Sequence, residues 1–421
     1  MILSPRFGTK ARSIHTRGAF ETSLKPSRDA DESTGTVMVS DHHGRGMSQD
    51  VLESGLFERA PDDPIRVLDS DGEVVSPDLE PDLDVETLLW MYRDMRFSRR
   101  FDERMISLQR QGRLGTYASL AGQEGSQIGS TYALADDDLL SYQYREHGAV
   151  IARELPWEYL LYWMGHEDGN TALAELDVFP LNISIGGHLP HAVGWSWAAK
   201  RNDDERVSVV HFGDGSTSEG DFHEAMNFAG VFDTPTVFFC NNNQWAISVP
   251  RGAQTASATL AQKADAYGFA GVQVDGMDPL ASYVVTAAAR EKALEPGDGQ
   301  LRPTLIEAIQ YRYGAHTTAD DPSAYRDDDE VEQWRERDPI DRFEAYLRNR
   351  DLLTDDRIES IDEEIDTTLE DLLEQAEGAH ADPRELFEYT YETPTPRLEE
   401  QRTELERLRE VHGDEELLED E

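Results

Sequence analysis

GDGSTSEGDFHEAMNFAGVFDTPTVFFCNNNQW, residues 213–245, is the stretch that decides the fold. The apolar, β-branched run just before it, residues 206–212, predicts a buried strand. Residues 219–230 predict a helix with Gly230 as its stop. Residues 236–240 predict a second strand, which leads into three asparagines. A strand, a helix and a strand in that order predict one unit of a parallel α/β sheet.

Polar side chains follow both predicted strands. Asp214 lies between Gly213 and Gly215 at the end of the first strand, and Asn243 follows the second strand, twenty-nine positions later. The two glycines are expected to let the backbone turn sharply and approach a ligand closely. Because parallel strands end at one edge of a sheet, Asp214 and Asn243 can face the same crevice. Mg²⁺ prefers about six oxygen ligands, among them carboxylates, amides and phosphates, so the pair predicts a metal-and-phosphate site. The alternative is that both are ordinary turn residues.

The composition predicts a globular protein without a membrane span. The chain has 421 residues, of which 38% are hydrophobic, enough for a sizeable core. No run approaches the roughly eighteen apolar residues of a membrane helix, and no secretory signal is recognisable, so we expect a cytoplasmic protein. Cys240 is the only cysteine, which excludes an intramolecular disulfide and a cysteine-cluster metal site.

The chain is strongly acidic. It carries 85 acidic against 39 basic residues, for a formal net charge of −46, and only five of the basic residues are lysines. Such a charge excludes nucleic-acid binding as a main function. It predicts adaptation to a very salty cytoplasm, where repulsion between surface charges is screened within about 3 Å. The alternative is a generically acidic protein.

Four segments are expected along the chain. Residues 1–46 are poor in acids and predict a disordered tail, a transit peptide, or a segment before a true start at Met47. Residues 47–83 predict an extended arm packed on the body or on a partner. Residues 84–353 predict the main domain, and residues 354–421 predict an acidic helical region.

Within the main domain, helical and strand patterns alternate. This alternation predicts an α/β fold with a doubly wound parallel sheet and helices on both faces. The expected helices beyond the central stretch are 85–108, 125–133, 260–267 and 280–294, and the expected strands are 271–274 and 304–309. In the C-terminal region, one apolar stripe predicts packing of an otherwise acidic helix; it consists of Ile358, Ile361, Ile365, Leu369 and Leu372.

Several stretches resemble a known family. They are RQGRLGTYASLAGQE (110–124), YREHG (144–148), ISIGGHLPHAV (183–193), YRYGAHTTADDPSAYR (311–326) and the GDG-to-NN stretch that opens at residue 213. Over about residues 84–353 the chain resembles the alpha subunit of thiamin-dependent 2-oxoacid dehydrogenases. The resemblance implies the thiamin diphosphate-binding fold and, as cofactors, thiamin diphosphate and Mg²⁺.

The resemblance also implies the ligands of the metal and the diphosphate. Asp214, Asn243 and the main-chain carbonyl of Trp245 would hold Mg²⁺ on the cofactor. Gly215 and Ser216 would present backbone amides to a phosphate, as the first turn of a helix does for anions.

Four more residues receive roles from the resemblance. Tyr144 and Arg145 would contact the diphosphate, because a guanidinium fork suits phosphate oxygens; the alternative is a packed tyrosine beside a surface arginine. Ile185 would support the bent cofactor, or would simply pack in the core. His316 would line the active site and act in acyl transfer to the lipoyl group, because an imidazole can donate to phosphate or move a proton near neutrality; the alternative is an exposed loop histidine. His147 receives no role.

The implied function is thiamin-dependent oxidative decarboxylation of a 2-oxo acid. The expected partners are a beta subunit, in a heterotetramer of two alpha and two beta chains, and a lipoyl-bearing acyltransferase. Residues 110–124 favour pyruvate as substrate, whereas the helix after Gly215 also resembles branched-chain 2-oxoacid dehydrogenases, and acetoin dehydrogenase is a third candidate. A non-catalytic cofactor-binding scaffold is the alternative of another class. A nicotinamide oxidoreductase is disfavoured, because no glycine fingerprint with a downstream acid follows a strand.

Overall fold

The computed structural model of the protein describes residues 55–58, 62–379, 383–388 and 390–418. The predicted tail, residues 1–46, and the start of the predicted arm lie outside the described residues. Among the described helices, none combines the length and the apolar character that crossing a membrane requires.

A parallel sheet forms the centre of the fold. The strands of the described residues are, in chain order, β1 (Leu139–Ser141), β2 (Ser208–Gly213), β3 (Thr236–Asn242), β4 (Trp245–Ala246), β5 (Val249–Pro250), β6 (Ala270–Asp275) and β7 (Thr304–Ile309). β4 and β5 pair as a small antiparallel ribbon. The other five form one parallel sheet in the order β1-β2-β3-β7-β6. The predicted parallel α/β sheet is therefore confirmed.

Helices connect these strands. In chain order the described α-helices are α1 (Val85–Arg110), α2 (Glu124–Tyr132), α3 (His147–Ile151), α4 (Glu158–Trp163), α5 (Leu189–Arg201), α6 (Gly220–Phe232), α7 (Arg251–Gln254), α8 (Pro279–Leu294), α9 (Asp328–Arg335), α10 (Pro339–Asn349), α11 (Asp355–Gly378), α12 (Glu385–Glu388) and α13 (Pro396–Leu418). Short 3₁₀ helices span Leu56–Glu58, Pro77–Leu79, Glu167–Asn170, Ala172–Leu176, Asp214–Ser218, Ala261–Tyr267 and Pro322–Ala324.

The sheet buries apolar side chains on both faces, as a doubly wound fold requires. Successive strand residues point to opposite faces, so Val209 and Phe239 join one hydrophobic core while Val210 and Phe238 join another. The first core includes apolar residues of α1, α2 and α8. The second includes apolar residues of α5 and α6. Helices therefore cover the sheet on both sides.

One predicted detail of the central stretch is wrong, and the stripe of the acidic helix has one more member than predicted. The expected stop at Gly230 does not occur, because α6 continues to Phe232 and ends at Asp233, whose φ is 50°. Gly230 is required by packing instead: a Cβ there would lie 2.4 Å from the carbonyl oxygen of Tyr267. In α11 the predicted stripe packs on the main core, with Ile358 and Leu372 half-buried at its margin, and Leu373 is a further buried member.

The segment that precedes α1 is anchored on the body. Ile65 exchanges backbone hydrogen bonds of 2.9 Å with Gln273 and Asp275 of β6. The backbone N–H groups of Val67 and Leu68 both donate to the carboxylate of Asp278 at 2.7 Å. That carboxylate also caps α8, so one buried acid connects the anchored segment to the sheet.

The acidic helix α11 packs along α1. Its apolar stripe lies in the main core, and arginines of α1 reach its acidic residues: Arg93 pairs with Glu364, and Arg96 with Asp362. The expectation that this region packs is confirmed. Arginines of α1 therefore stabilise the contact with α11 by pairing with its acidic side chains.

Candidate active site

Two loops meet at the carboxyl edge of the sheet. β2 and β3 pair in parallel with Gly213 opposite Asn241, so the residues that follow each strand emerge at the same edge. Asp214 follows β2 and Asn243 follows β3, and both side chains are buried. The structure therefore brings together the strand ends that carry the predicted metal ligands.

Asp214 is a buried carboxylate to which no cationic side chain of the described residues donates a hydrogen bond. Gln254 of α7 donates from Nε2 to Asp214 Oδ2 at 2.9 Å. Burial raises the pKa of Asp214 to about 6, because removal from water disfavours the charged form. A bound cation would reverse that effect by compensating the negative charge. The environment of Asp214 thus fits a metal ligand.

The glycines beside Asp214 act differently from the expectation. Neither Gly213 nor Gly215 has a positive φ, and the φ of Gly213 is −80°, so the turn needs no left-handed residue. At Gly215 the requirement is close approach, because a Cβ would lie 2.9 Å from the Cβ of Ala246. Ser216 is buried in the following 3₁₀ helix. The close neighbour of Gly215 in the structure is thus Ala246, and the expected approach to a ligand stays a prediction.

The loop after β3 is shaped by side-chain hydrogen bonds. Asn243 accepts from the backbone N–H of Trp245 at 3.2 Å and donates to Gln123 Oε1 at 3.2 Å. Gln244 and Ile247 adopt left-handed φ values of 72° and 56°. Such strain in residues other than glycine costs about 1–3 kcal/mol each and is typical of ligand-binding loops.

The predicted metal ligands are of the types that suit a cation shared with a phosphate. In the described part of the chain no group of three or more His, Cys, Asp or Glu side chains could hold a metal ion. One carboxylate, one amide and one backbone carbonyl need further oxygen ligands. Mg²⁺ bound to a diphosphate has that requirement, because phosphates and water complete its octahedron.

A second group of predicted residues gathers around His316. Arg145 donates from Nη2 to His316 Nδ1 at 3.1 Å and to its carbonyl oxygen at 2.7 Å. The ring of Tyr144 stands edge-on to the imidazole, with centroids 5.9 Å apart. Arg312 approaches the same Nδ1 to 3.5 Å. Tyr144, Arg145 and His316, which are distant in sequence, therefore form one cluster.

The contacts of His316 determine its protonation. Arginine can only donate, so Nδ1 accepts and the proton of the neutral ring lies on Nε2. Burial, with Arg145 and Arg312 adding to it, lowers the pKa of His316 to about 4. The sequence-based expectation of a group that titrates near neutrality does not hold for this environment. At neutral pH His316 is an uncharged ring whose Nε2–H can donate to a ligand.

The arginines of this cluster lack negative partners. Arg145 and Arg312 are both buried, and neither has a carboxylate within 4 Å among the described residues. Asp320 is connected to Arg312 through the hydroxyl of Tyr325 and through His316, whose backbone N–H donates to the Asp320 carboxylate at 2.7 Å. Arg312 Nε has no hydrogen-bond partner, and burial, with Arg145 adding to it, lowers the pKa of Arg312 to about 10. Two buried cations without a direct carboxylate partner among the described residues, in a chain of net charge −46, fit a bound anion.

Ile185 lies outside the hydrophobic cores. Its side chain is 38% exposed, and neighbouring Ile183 is 54% exposed, so the alternative of simple core packing is wrong. Gln143 donates to the carbonyl oxygen of Ser184 at 3.4 Å, which connects this loop to the segment of Tyr144 and Arg145. The position agrees with contact to a ligand or a partner.

Sequence reasoning missed Arg312, Gln254 and Gln123. One available signal for Arg312 was its place just after β7, between two aromatic residues, where a buried arginine is unusual. The glutamines gave no signal, since their relevance comes from contacts across the fold. His147, left without a role, is buried; its Nε2 donates to the carbonyl of Ala118 and its Nδ1 accepts from Tyr159, so it supports the loop beside Arg145.

Comparisons with known proteins point in one direction. A family model described as "Dehydrogenase E1 component" matches residues 92–384. The chain is similar to the 3-methyl-2-oxobutanoate dehydrogenase subunit alpha of Mycobacterium tuberculosis strain H37Rv, with 41% identity over 360 residues, which cover 84% of this chain and 96% of the relative. It is also similar to the pyruvate dehydrogenase E1 component subunit alpha of Staphylococcus aureus strain Mu50, with 42% identity over 340 residues, 80% of this chain and 91% of the relative.

Proposed function

The chain belongs to the dehydrogenase E1 component family, and we propose that within it this protein is the alpha subunit of a thiamin diphosphate-dependent pyruvate dehydrogenase. Its partners in this proposal are a beta subunit and the lipoyl-bearing acyltransferase of a 2-oxoacid dehydrogenase complex, in the cytoplasm. The observation that carries the proposal is the buried pair Arg145 and Arg312, which has no carboxylate partner within 4 Å in the described part of the chain.

Each side chain of the site has a role in this proposal. Arg145 and Arg312 bind the diphosphate, and their donors replace the water lost on burial. Asp214, Asn243 and the carbonyl of Trp245 hold Mg²⁺ on that diphosphate. Gly215 and Ser216 offer backbone amides, Tyr144 packs beside the phosphates, and Ile185 supports the cofactor. When bound, thiamin diphosphate supplies a nucleophilic carbon for attack on the 2-oxo group and an electron sink for loss of CO₂.

His316 acts as a hydrogen-bond donor. Arg145 holds Nδ1, so Nε2–H is free to donate to a phosphate oxygen or to an oxyanion that develops on the substrate or on the lipoyl thioester. Its low pKa keeps the ring neutral at physiological pH before a ligand arrives. The anionic diphosphate would offset part of the effect of the two arginines.

A non-catalytic scaffold is the second candidate. It would need the fold and the cofactor contacts but no donor toward the substrate. A His316 that donates only to a phosphate oxygen would suit the scaffold as well, whereas donation to an oxyanion on the substrate belongs to the enzyme alone.

A substrate panel tests the proposed reaction. We expect the complex reconstituted with its beta subunit to decarboxylate pyruvate with a kcat/KM at least about tenfold higher than 3-methyl-2-oxobutanoate, because each extra methylene in a fitted pocket typically changes the rate by about 10–200-fold. Dye reduction that depends on the added 2-oxo acid measures the reaction of both acids. Acetoin, which has no carboxyl group to lose, is tested as a third substrate by the same dye reduction. Faster turnover of the branched 2-oxo acid would move the assignment to the other group of relatives, and turnover of none would favour the scaffold.

We also propose that the protein is adapted to high salt. The Debye length is about 3 Å at molar KCl and about 10 Å at 0.1 M KCl. The excess of 46 negative charges is therefore less screened at 0.1 M, and the repulsion among these charges is stronger there. We expect the melting temperature to fall by at least about 6 °C on dialysis to 0.1 M KCl, a change that corresponds to roughly 2–3 kcal/mol. Scanning calorimetry measures it, and return to molar KCl is the control. An unchanged melting temperature would contradict salt adaptation.

A further inference from the structure

A buried glutamate lies beneath the two loops of the candidate metal site. Glu307 is in the middle of β7, and its side chain is 1% exposed. Its Oε1 accepts from Asn242 Nδ2 at 2.7 Å. Its Oε2 accepts from the backbone N–H groups of Leu260 and Ala261, at 2.7 and 2.9 Å, and from Gln273 Nε2 at 2.9 Å.

All four donors to Glu307 are uncharged. Among the described residues Glu307 has no arginine, lysine or histidine within 4 Å, although a buried carboxylate is costly without a positive partner. Four well-placed donors offset part of that cost. An apolar residue at this position would fill the sheet without it, so the packing of the core does not account for the charge.

The contacts of Glu307 lead to both metal loops. On one side Asn242, which donates to Glu307, accepts from the backbone N–H of Gln244 at 3.3 Å and from its Nε2 at 3.1 Å. Gln244 has a left-handed φ of 72° and lies between Asn243 and Trp245. These hydrogen bonds hold the turn that determines the positions of the Asn243 side chain and the Trp245 carbonyl.

On the other side Glu307 holds the end of the segment that begins with α7. That segment carries Gln254, which donates to Asp214, and it ends at the backbone N–H groups that Glu307 binds.

We propose that Glu307 is a positioning residue for the divalent cation. It fixes the Asn242–Trp245 turn through Asn242, and it holds the end of the segment whose Gln254 donates to Asp214. This inference rests on the proposed function, since it concerns the Mg²⁺ that the diphosphate requires.

The variant Glu307→Gln tests the proposal. Glutamine keeps the size of the side chain but removes its charge and one acceptor. The full chain is reconstituted with its beta subunit, and Mg²⁺ is titrated at saturating thiamin diphosphate while tryptophan fluorescence reports cofactor binding. We expect the Mg²⁺ concentration for half-maximal binding to rise by about 10–100-fold, as is typical when a residue that orients a metal ligand is replaced. Binding should still reach completion at high Mg²⁺, whereas a merely structural role would lower the melting temperature and leave the Mg²⁺ requirement unchanged.

Two further variants keep the test decisive. Asn242→Ala breaks the connection to the turn while Glu307 keeps its other three donors, so we expect a rise in the Mg²⁺ requirement there also, even if Glu307→Gln fails to fold. Asp278→Asn is the matched control, because Asp278 is equally buried and accepts from four backbone N–H groups far along the chain from both loops. Wild-type Mg²⁺ dependence in the Glu307 and Asn242 variants would overturn the proposal, as would an equal rise in the Asp278 variant. Failure of the wild-type protein to bind the cofactor at any Mg²⁺ concentration would instead overturn the proposed function.

Discussion

The substitution Asp214→Ala is expected to abolish Mg²⁺-dependent binding of thiamin diphosphate. Asp214 is the one carboxylate among the three proposed metal ligands, so its loss leaves the cation without a negative protein ligand. We expect the affinity to fall by more than about 100-fold, beyond the range typical of residues that act only through a ligand. Isothermal calorimetry of the reconstituted complex, with Mg²⁺ and with EDTA, measures the loss.

Stability measurements separate this loss from misfolding. Burial disfavours the charge of Asp214, so its removal should not destabilise the protein in the absence of cofactor. Wild-type protein at a cofactor concentration one hundred times Kd should gain about 2.7 kcal/mol of stability, whereas the Asp214→Ala protein should gain none. Asp221→Ala, which removes an exposed acid from the first turn of α6, is the control and should retain the gain. Equal affinity in EDTA and in Mg²⁺ for the wild-type protein would remove the metal from the site.

The sequence predicted those elements whose pattern is local. The strand at 304–309 coincides with β7, and the helix expected at 85–108 is α1 with two more residues. Their apolar residues recur with a clear period, and turn residues or caps bound them. Gly230 misled because glycine has two uses: it ends helices, but it also allows two segments to approach, and only the position of Tyr267 shows which use applies.

The candidate site was predictable where a motif carries it, and not where contacts across the fold define it. Asp214, Asn243, Arg145 and His316 follow strand ends or belong to motifs, so the sequence indicated them. No pattern shows that a particular arginine lacks a carboxylate partner, yet this property distinguishes Arg312 from the many paired arginines of the chain. The low pKa of His316 has the same origin, because it depends on burial in the folded protein and, after that, on two guanidinium groups from different loops.

The surface around the site suggests that another chain completes it. Ile247 is 57% exposed and Val249 is 42% exposed, and the carbonyl of Ile247 accepts from Arg312. Together with Ile183 and Ile185 they give the site several exposed apolar side chains, a feature typical of surfaces that a ligand or a partner covers. In the family that the chain resembles, one domain binds the diphosphate of the cofactor and a separate domain binds its pyrimidine ring. The described residues contain one parallel sheet, as the diphosphate-binding domain requires, and no second parallel sheet that could belong to a pyrimidine-binding domain.

The isolated alpha chain is therefore expected to be almost inactive. Activation of the cofactor requires a carboxylate at the pyrimidine ring, which in this family comes from a separate domain, and loss of a positioned proton-transfer group typically lowers a rate by about 10²–10⁴-fold. We expect the chain alone to show less than about 1% of the oxo-acid-dependent dye reduction of the mixture with a beta subunit, and activity to reach its maximum at a one-to-one ratio. Alpha chain with Asp214→Ala, mixed in the same way, controls for activity of the beta subunit alone. The loop of His316 is expected to close over the site only in the mixture, which slower proteolysis between residues 314 and 326 would report. Full turnover by the alpha chain without a partner would refute the two-chain site, because all groups for both halves of the cofactor would then have to lie in this one chain.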